Sequence, residues 1–296
     1  MRQVPGLEVF DERVCELGEG PHYDDLGQRT VWVDILGSRV LWRHLDGRQG
    51  EHGVPGHVGA AVPRAGGGLV LCLPRGPVLA GPDWSLQPLG GYREADEQAG
   101  AAPAGSGIRS NDAKADPAGR LWLGTMAYQE TPGAGALYRL DPGAARPRRV
   151  LGGVTVSNGL GWSPDGGTMY YVDSPTRQVV ACDYDLVSGE LGAWRPFATI
   201  EAGFPDGLCV DAEGGVWVAL WEGSAVHRFD PTGRLDRVLS LPTPRVTSCA
   251  FAGPGLGTLV VTTARVGRPV DDTAAGLTYA TEQAGVVGRA ADRYAG

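Results

Sequence analysis

The chain has 296 residues, 42% of them hydrophobic and 20% charged, enough for one large packed domain or two modest ones. Its formal net charge of −8 and the lack of any apolar run of bilayer length argue against nucleic acid or membrane as a partner. No secretory signal is read in the opening MRQVPGLEVFDERV, and five scattered cysteines without a CxxC pair read as buried thiols, so a cytoplasmic protein is expected.

Along the chain, short strand-like runs follow one another at a steady spacing. They centre on Trp32 (TVWVD), Val70 (GLVLC), Trp122 (RLWLG), Tyr171 (MYYVD), Trp217 (GVWVA) and Val260 (TLVVT), at intervals of 38, 52, 49, 46 and 43 residues. A second run follows each: RVLWRHL, GPVLAG, GALYRLD, QVVACDYD, SAVHRFD and, more weakly, GLTYAT. Most close in a turn such as DG, DPG or DPTG. Long capped amphipathic helices are missing from the pattern. A period in the forties with Gly/Pro-rich turns predicts an all-β, six-bladed β-propeller, with four antiparallel strands per blade around a central channel. It is expected to span residues 1–296 as a single domain. The loosest stretch, EQAGAAPAGSG (97–107), falls between blades two and three, and its Gly/Ala composition predicts a mobile loop over the channel mouth.

A second regularity sits just ahead of the strand markers. Glu19 lies 13 residues before Trp32 and Asn158 lies 13 before Tyr171, while Asp206 and Asn111 lie 11 before Trp217 and Trp122. A longer turn absorbs the difference. Each of Glu19, Asn158 and Asp206 directly precedes a glycine, and Asp or Asn before Gly, taken alone, reads as a turn. Their shared phase is what predicts a ring of side-chain oxygens at one mouth. Blades two and six place Gly59 and roughly Ser248 at that phase. Two carboxylates and an amide oxygen suit one divalent cation, with calcium, zinc, magnesium and manganese all compatible. Such a three-ligand set leaves coordination positions open, as in catalytic sites, and supports hydrolysis of an ester or lactone. In RSNDAKADPAGRLWLGTM (109–126), Arg109 could fork two hydrogen bonds to a substrate or pair with a loop acid, and Lys114 and Asp116 read as loop-bracing residues. Asp25, Asp116, Asp165 and Asp211 read as hairpin chemistry. There is no GxSxG elbow, HExxH or Walker A loop, and the five histidines show no metal-ligand spacing.

Several long stretches, LGEGPHYD, RSNDAKADPAGRLWLGTM, VSNGLGWSPDGGTMYYVDS, PDGLCVDAEGGVWVALW, RVTSCAF and the terminal RYAG, occur in the order found in one family. Over nearly its whole length the chain resembles the senescence marker protein/gluconolactonase/regucalcin-like family of six-bladed propeller lactonases. The resemblance implies that Glu19, Asn158 and Asp206 are the metal ligands, that Asp206 is also the general base, and that Arg109 and Asn111 hold the substrate. At the position where the regucalcin branch carries a sugar-contacting glutamate, this chain has Gln129, followed by Glu130. The expected activity is metal-assisted hydrolysis of a small lactone, above all an aldonolactone, by a monomer or small homo-oligomer. The alternatives are an esterase, phosphotriesterase or specialised-metabolism hydrolase on the same site, or a non-enzymatic calcium-binding or interaction propeller. The closing strand in AAGLTYATEQ is expected to make the last blade less regular.

Overall fold

The structure, a computed structural model, describes residues 1–92 and 107–296. All of the expected mobile loop except Gly107 therefore lies outside the described residues. The chain opens with β1 (Arg2–Gln3) and β2 (Glu8–Asp11), then builds blade one from β3 (Gly18–Asp24), β4 (Arg29–Asp34), β5 (Arg39–His44) and β6 (Gln49–Gly53). Blade two holds β7 (Ala61–Pro63), β8 (Leu69–Leu73), β9 (Gly76–Ala80) and β10 (Leu86–Pro88). Blade three holds β11 (Ile108–Ala115), β12 (Leu121–Ala127), β13 (Gly135–Leu140) and β14 (Arg148–Val154). Blade four holds β15 (Ser157–Trp162), β16 (Thr168–Asp173), β17 (Gln178–Asp185) and β18 (Glu190–Thr199). Blade five holds β19 (Phe204–Val210), β20 (Val216–Trp221), β21 (Ala225–Phe229) and β22 (Leu235–Ser240). Blade six has β23 (Val246–Ala252), β24 (Thr258–Thr263) and β25 (Thr278–Thr281).

The six sheets form a ring, a six-bladed β-propeller of antiparallel blades. Blade six takes its fourth strand from the other end of the chain: β2 pairs antiparallel with β25, with Glu8 opposite Ala280. The weak closing strand thus needs no outer partner of its own, because the amino terminus supplies one and locks the ring. β1 adds a fifth, parallel strand at the edge of blade five. The six sequence markers all fall on the second strand of their blade, and the runs that follow them form the third strands.

Each blade is covered on both faces, so its inner strands read as apolar runs with little alternation. The core is accordingly divided among the blade interfaces. Val33 and Val40 of blade one meet Leu71 and Val78 of blade two, and Trp217 and Val226 of blade five meet Phe251 and Val261 of blade six. The turns carry the expected hairpin chemistry at two equivalent positions. Asp116 accepts from the backbone of Ala118 and Arg120 and from the Trp122 indole at 3.0 Å. Asp211 does the same for Glu213, Gly215 and Trp217, the last at 2.8 Å. One carboxylate thereby closes the turn and pins the marker tryptophan. Lys114, by contrast, is no loop residue: it lies on β11 and donates to the Leu208 carbonyl of blade five. All five cysteines are free, with the sulfurs of Cys209 and Cys249 at 3.7 Å. Among the described residues no helix is long and apolar enough to cross a membrane.

Candidate metal and substrate site

The first strands of the blades, β3, β7, β11, β15, β19 and β23, pack against one another around the axis. Glu19, Asn111, Asn158 and Asp206 lie within these strands, near their beginnings, and not merely ahead of them. A local irregularity positions all four. The pairing register of each strand with its neighbour shifts at this point: between Glu19 and His22, Ser110 and Ala113, Ser157 and Leu160, and Pro205 and Leu208. Such a bulge leaves Asn111, Asn158 and Asp206 outside the ladder and re-aims them into the channel, while Glu19 stands at the edge of its bulge, still paired with Val33. The glycine that follows has its own cause. A Cβ on Gly159 would stand 2.5 Å from the Asp206 carbonyl oxygen, so close packing at the axis excludes a side chain there. Gly20 adopts φ +52°, a left-handed turn of the backbone at its bulge.

The four side chains share one cleft of about 490 Å³, which Arg109, Met126, Tyr128, Glu130, Ser174 and Phe204 also line. Its carboxylates are buried: Glu19 is 6% exposed and Asp206 5%. Burial pushes Glu19 up to about 8, with Asp112 adding to the rise and the Gly20 amide, Arg109 and Lys114 opposing it. Asp206 is held well above its ordinary value by burial, then by the charges of Glu19 and Asp112. Two carboxylates facing each other in a low-dielectric channel cannot both ionise cheaply without a cation. Asp112, at the same bulge as Asn111, is a third buried carboxylate, raised by burial, and neither of its oxygens accepts a hydrogen bond.

The hydrogen bonds fix which atoms face the centre. Asn158 donates from Nδ2 to Ser174 Oγ at 3.0 Å, and its Oδ1 is buried with no donor. Asp206 Oδ1 is likewise buried and accepts no hydrogen bond from the described residues. Arg109 donates from Nη1 to the Ser110 carbonyl (3.0 Å) and to Asn111 Oδ1 (2.6 Å), and Asn111 donates onward to the Ser157 carbonyl at 2.9 Å. Among the described residues no three His, Cys, Asp or Glu side chains gather as a metal group. The set here is two carboxylates and an amide, and the orphaned, inward oxygens of Asn158 and Asp206 fit a hard cation.

Gln129 is exposed and does not line the cleft; its neighbours Tyr128 and Glu130 do. Glu130 has φ +50°, which takes the chain through a left-handed turn at this point. The aromatic Phe204 and Trp221, the apolar Leu17 and Val156, and Arg245 also line the cleft, and none was singled out from the sequence. A signal existed for three of them, because Leu17, Val156 and Phe204 each stand two residues before a ring oxygen.

The model of the SMP-30/Gluconolactonase/LRE-like region matches residues 17–265, the part of the chain that carries every ring residue. The chain belongs to this family. Regucalcin of Danio rerio is 36% identical over 292 residues, covering 95% of this chain and 96% of its own. Among solved structures of the family, a luciferin-regenerating enzyme superposes with a TM-score of 0.89 at 30% identity, covering 98% of this chain and 99% of its own. A calcium-binding protein, regucalcin, from Agrobacterium tumefaciens gives 0.86 at 28%, covering 99% and 98%. Family membership fits a lactonase-type propeller acting on a small molecule.

Proposed function

We propose that the chain is a divalent-metal-dependent lactonase that opens a small lactone by attack of water. One observation carries this reading: two buried carboxylates and an amide meet at one channel mouth, and the inward oxygens of Asn158 and Asp206 have no donor among the described residues. Glu19, Asn158 and Asp206 would hold a single ion, and their oxygen donors admit calcium, magnesium, manganese or zinc. When bound, such an ion polarises a carbonyl oxygen and makes water more acidic.

Every other part of the task falls to the chain itself. Asp206 would be the base through the carboxylate oxygen that the ion leaves free. It takes the proton of the attacking water and returns it to the ring oxygen as the ester bond breaks, giving a hydroxy acid. Arg109 is braced by Ser110 and Asn111, so its planar fork is presented to substrate oxygen at little entropic cost. The apolar walls exclude bulk water and strengthen each of these interactions. Five free thiols are consistent with a reducing compartment such as the cytoplasm.

A second reading, calcium binding without turnover, is favoured by the Agrobacterium relative, which is a calcium-binding protein. One experiment separates the two. Protein stripped by a chelator is given each divalent ion separately and assayed on aldonolactones, alkyl and aryl lactones and a phosphotriester. Ion-dependent hydrolysis of a lactone supports the lactonase. Calcium-dependent thermal stabilisation with no turnover of any substrate supports the binding protein.

A further inference from the structure

The ring of oxygens is overlain by a second ring that is largely apolar. Two residues before each ring oxygen stand Leu17, Val156 and Phe204, with Arg109 as the one polar member among the four. Phe204 is the cross-strand partner of Trp221, and both rings are partly exposed in the cleft. Each ring is held by a cation: the Arg177 guanidinium lies 4.3 Å from the Phe204 centroid and that of Arg245 lies 4.7 Å from Trp221. Arg245 is itself tied to Glu222 at 2.7 Å and to the Val266 carbonyl. These are the fixtures of a preformed aromatic wall, which pays little ordering entropy when a ligand arrives.

Beyond the ring oxygens, the polar lining is Arg109, Tyr128, Glu130, Ser174 and the Arg245 already tied to Glu222. Arg109 lies 5.9 Å from the Tyr128 ring, whose hydroxyl is bonded to His57 at 2.8 Å. The Asn111 amide is spent internally, its oxygen on Arg109 and its nitrogen on the Ser157 carbonyl. A ring bearing hydroxyls on every carbon would press several of them, desolvated, against Leu17, Val156 and Phe204 without partners. A ligand with one polar edge and one apolar arm would not.

Resting on the lactonase reading, we infer that the preferred substrate is a lactone with a single alkyl or aryl arm, seated on the Phe204–Trp221 wall with its polar edge at Arg109, and not a polyhydroxylated sugar lactone. The inference revises the aldonolactone expected from the sequence.

The test compares δ-gluconolactone with a δ-lactone carrying a hexyl or phenyl arm, on the ion-loaded protein. The armed lactone is expected to have a kcat/KM at least about tenfold higher. Phe204→Ser is expected to lower that preference about tenfold, chiefly through KM, while Phe204→Leu keeps most of it; thermal melts confirm that both variants fold. Binding of δ-lactams with and without the arm, followed by calorimetry, tests the same wall without turnover, and the armed lactam is expected to bind at least about tenfold more tightly. If no lactone is hydrolysed but the armed lactam binds more tightly, the lactonase reading fails and the apolar subsite stands. Equal or better turnover of gluconolactone, together with lactams that bind alike, overturns the inference.

Discussion

At the end of the channel where the inner strands begin, Asn158 and Asp206 present buried oxygens that the chain does not satisfy, in a cleft of about 490 Å³. Where the same strands finish, the pocket is only about 90 Å³ and the carboxyl-terminal residues cover it. That strap is tied to every blade. The Val287 carbonyl accepts from Ala212 of blade five, Gly288 donates to Leu256 of blade six, and Arg289 donates to Trp162 of blade four. Tyr294 exchanges backbone bonds with Pro63 and Ala65 of blade two, Ala295 donates to Gly119 of blade three, and Arg293 donates to Asp24 of blade one at 2.9 Å. Two atoms at this end have no partner among the described residues: the Trp162 indole nitrogen, and His22 Nε2 on a ring that burial keeps neutral, lowered to about 4. One mouth therefore presents unmatched oxygens, and the other is held mainly by the strap's bonds to the blades. On the proposed function, stability belongs to the strapped mouth and chemistry to the open one.

Substitutions at the two mouths should separate those properties. The largest effect is expected from Asp206→Ala, which on the proposed function removes both a ligand oxygen and the base. It should cut kcat by on the order of 10³-fold or more while leaving circular dichroism and the melting temperature near those of the parent. Near-normal turnover would remove Asp206 from the mechanism. Tyr294→Ala, at the strap, should do the reverse. Its side chain is 2% exposed, and truncating a buried aromatic costs about 3 kcal/mol, a fall of several degrees in melting temperature. KM for the substrate should not move. A change in KM as large as the Asp206 effect on kcat would mean that the two mouths are coupled through the inner strands.

The two mouths also differed in what their residues disclosed before any coordinates. Second strands are buried on both faces, so TVWVD or GVWVA stands out as an apolar run and the blade count follows. Outer strands such as QGEHG and LQP are largely exposed and carry no apolar signal. Closure of the ring by EVFD was hidden for another reason: pairing between residues 8 and 280 is a long-range event that leaves no local pattern. At the open mouth, spacing alone brought Glu19, Asn111, Asn158 and Asp206 to one phase, because a bulge repeated in these four blades keeps that phase constant. Gln129 was misplaced by one residue, since the left-handed turn at Glu130 shifts which side chains face inward. The strap was invisible as a structural device: many of its bonds are backbone, indifferent to side-chain identity, and the rest come from arginines that carry no local pattern.

A pH titration of metal-free protein sharpens the contrast at the open mouth. The folded state raises Glu19 from 4.5 to about 8, so its relative stabilisation is complete below pH 4.5 and is lost as pH rises towards 8. In chelator, the melting temperature should fall through that window, and a divalent ion should restore it most at the alkaline end. Glu19→Gln should flatten the curve. A metal-free protein equally stable at both ends of the window would mean that Glu19 is already neutralised by Arg109 and Lys114.

The smallest expected effect lies under the strap. Burial raises Asp292 from 3.8 to about 6, with Asp116 adding to the rise and Arg289 opposing it. The sign is the same as for Glu19: the penalty is absent below pH 3.8 and grows until pH passes 6. Asp292 is partly exposed, so solvent screens much of it. Asp292→Asn removes the charge and keeps the shape, and should raise the melting temperature by about 2 °C at neutral pH. Below pH 3.8, where the native carboxyl is itself neutral, the two proteins should melt together. A gain of equal size at both pH values would be a packing effect, and the strap would then hold Asp292 without electrostatic cost.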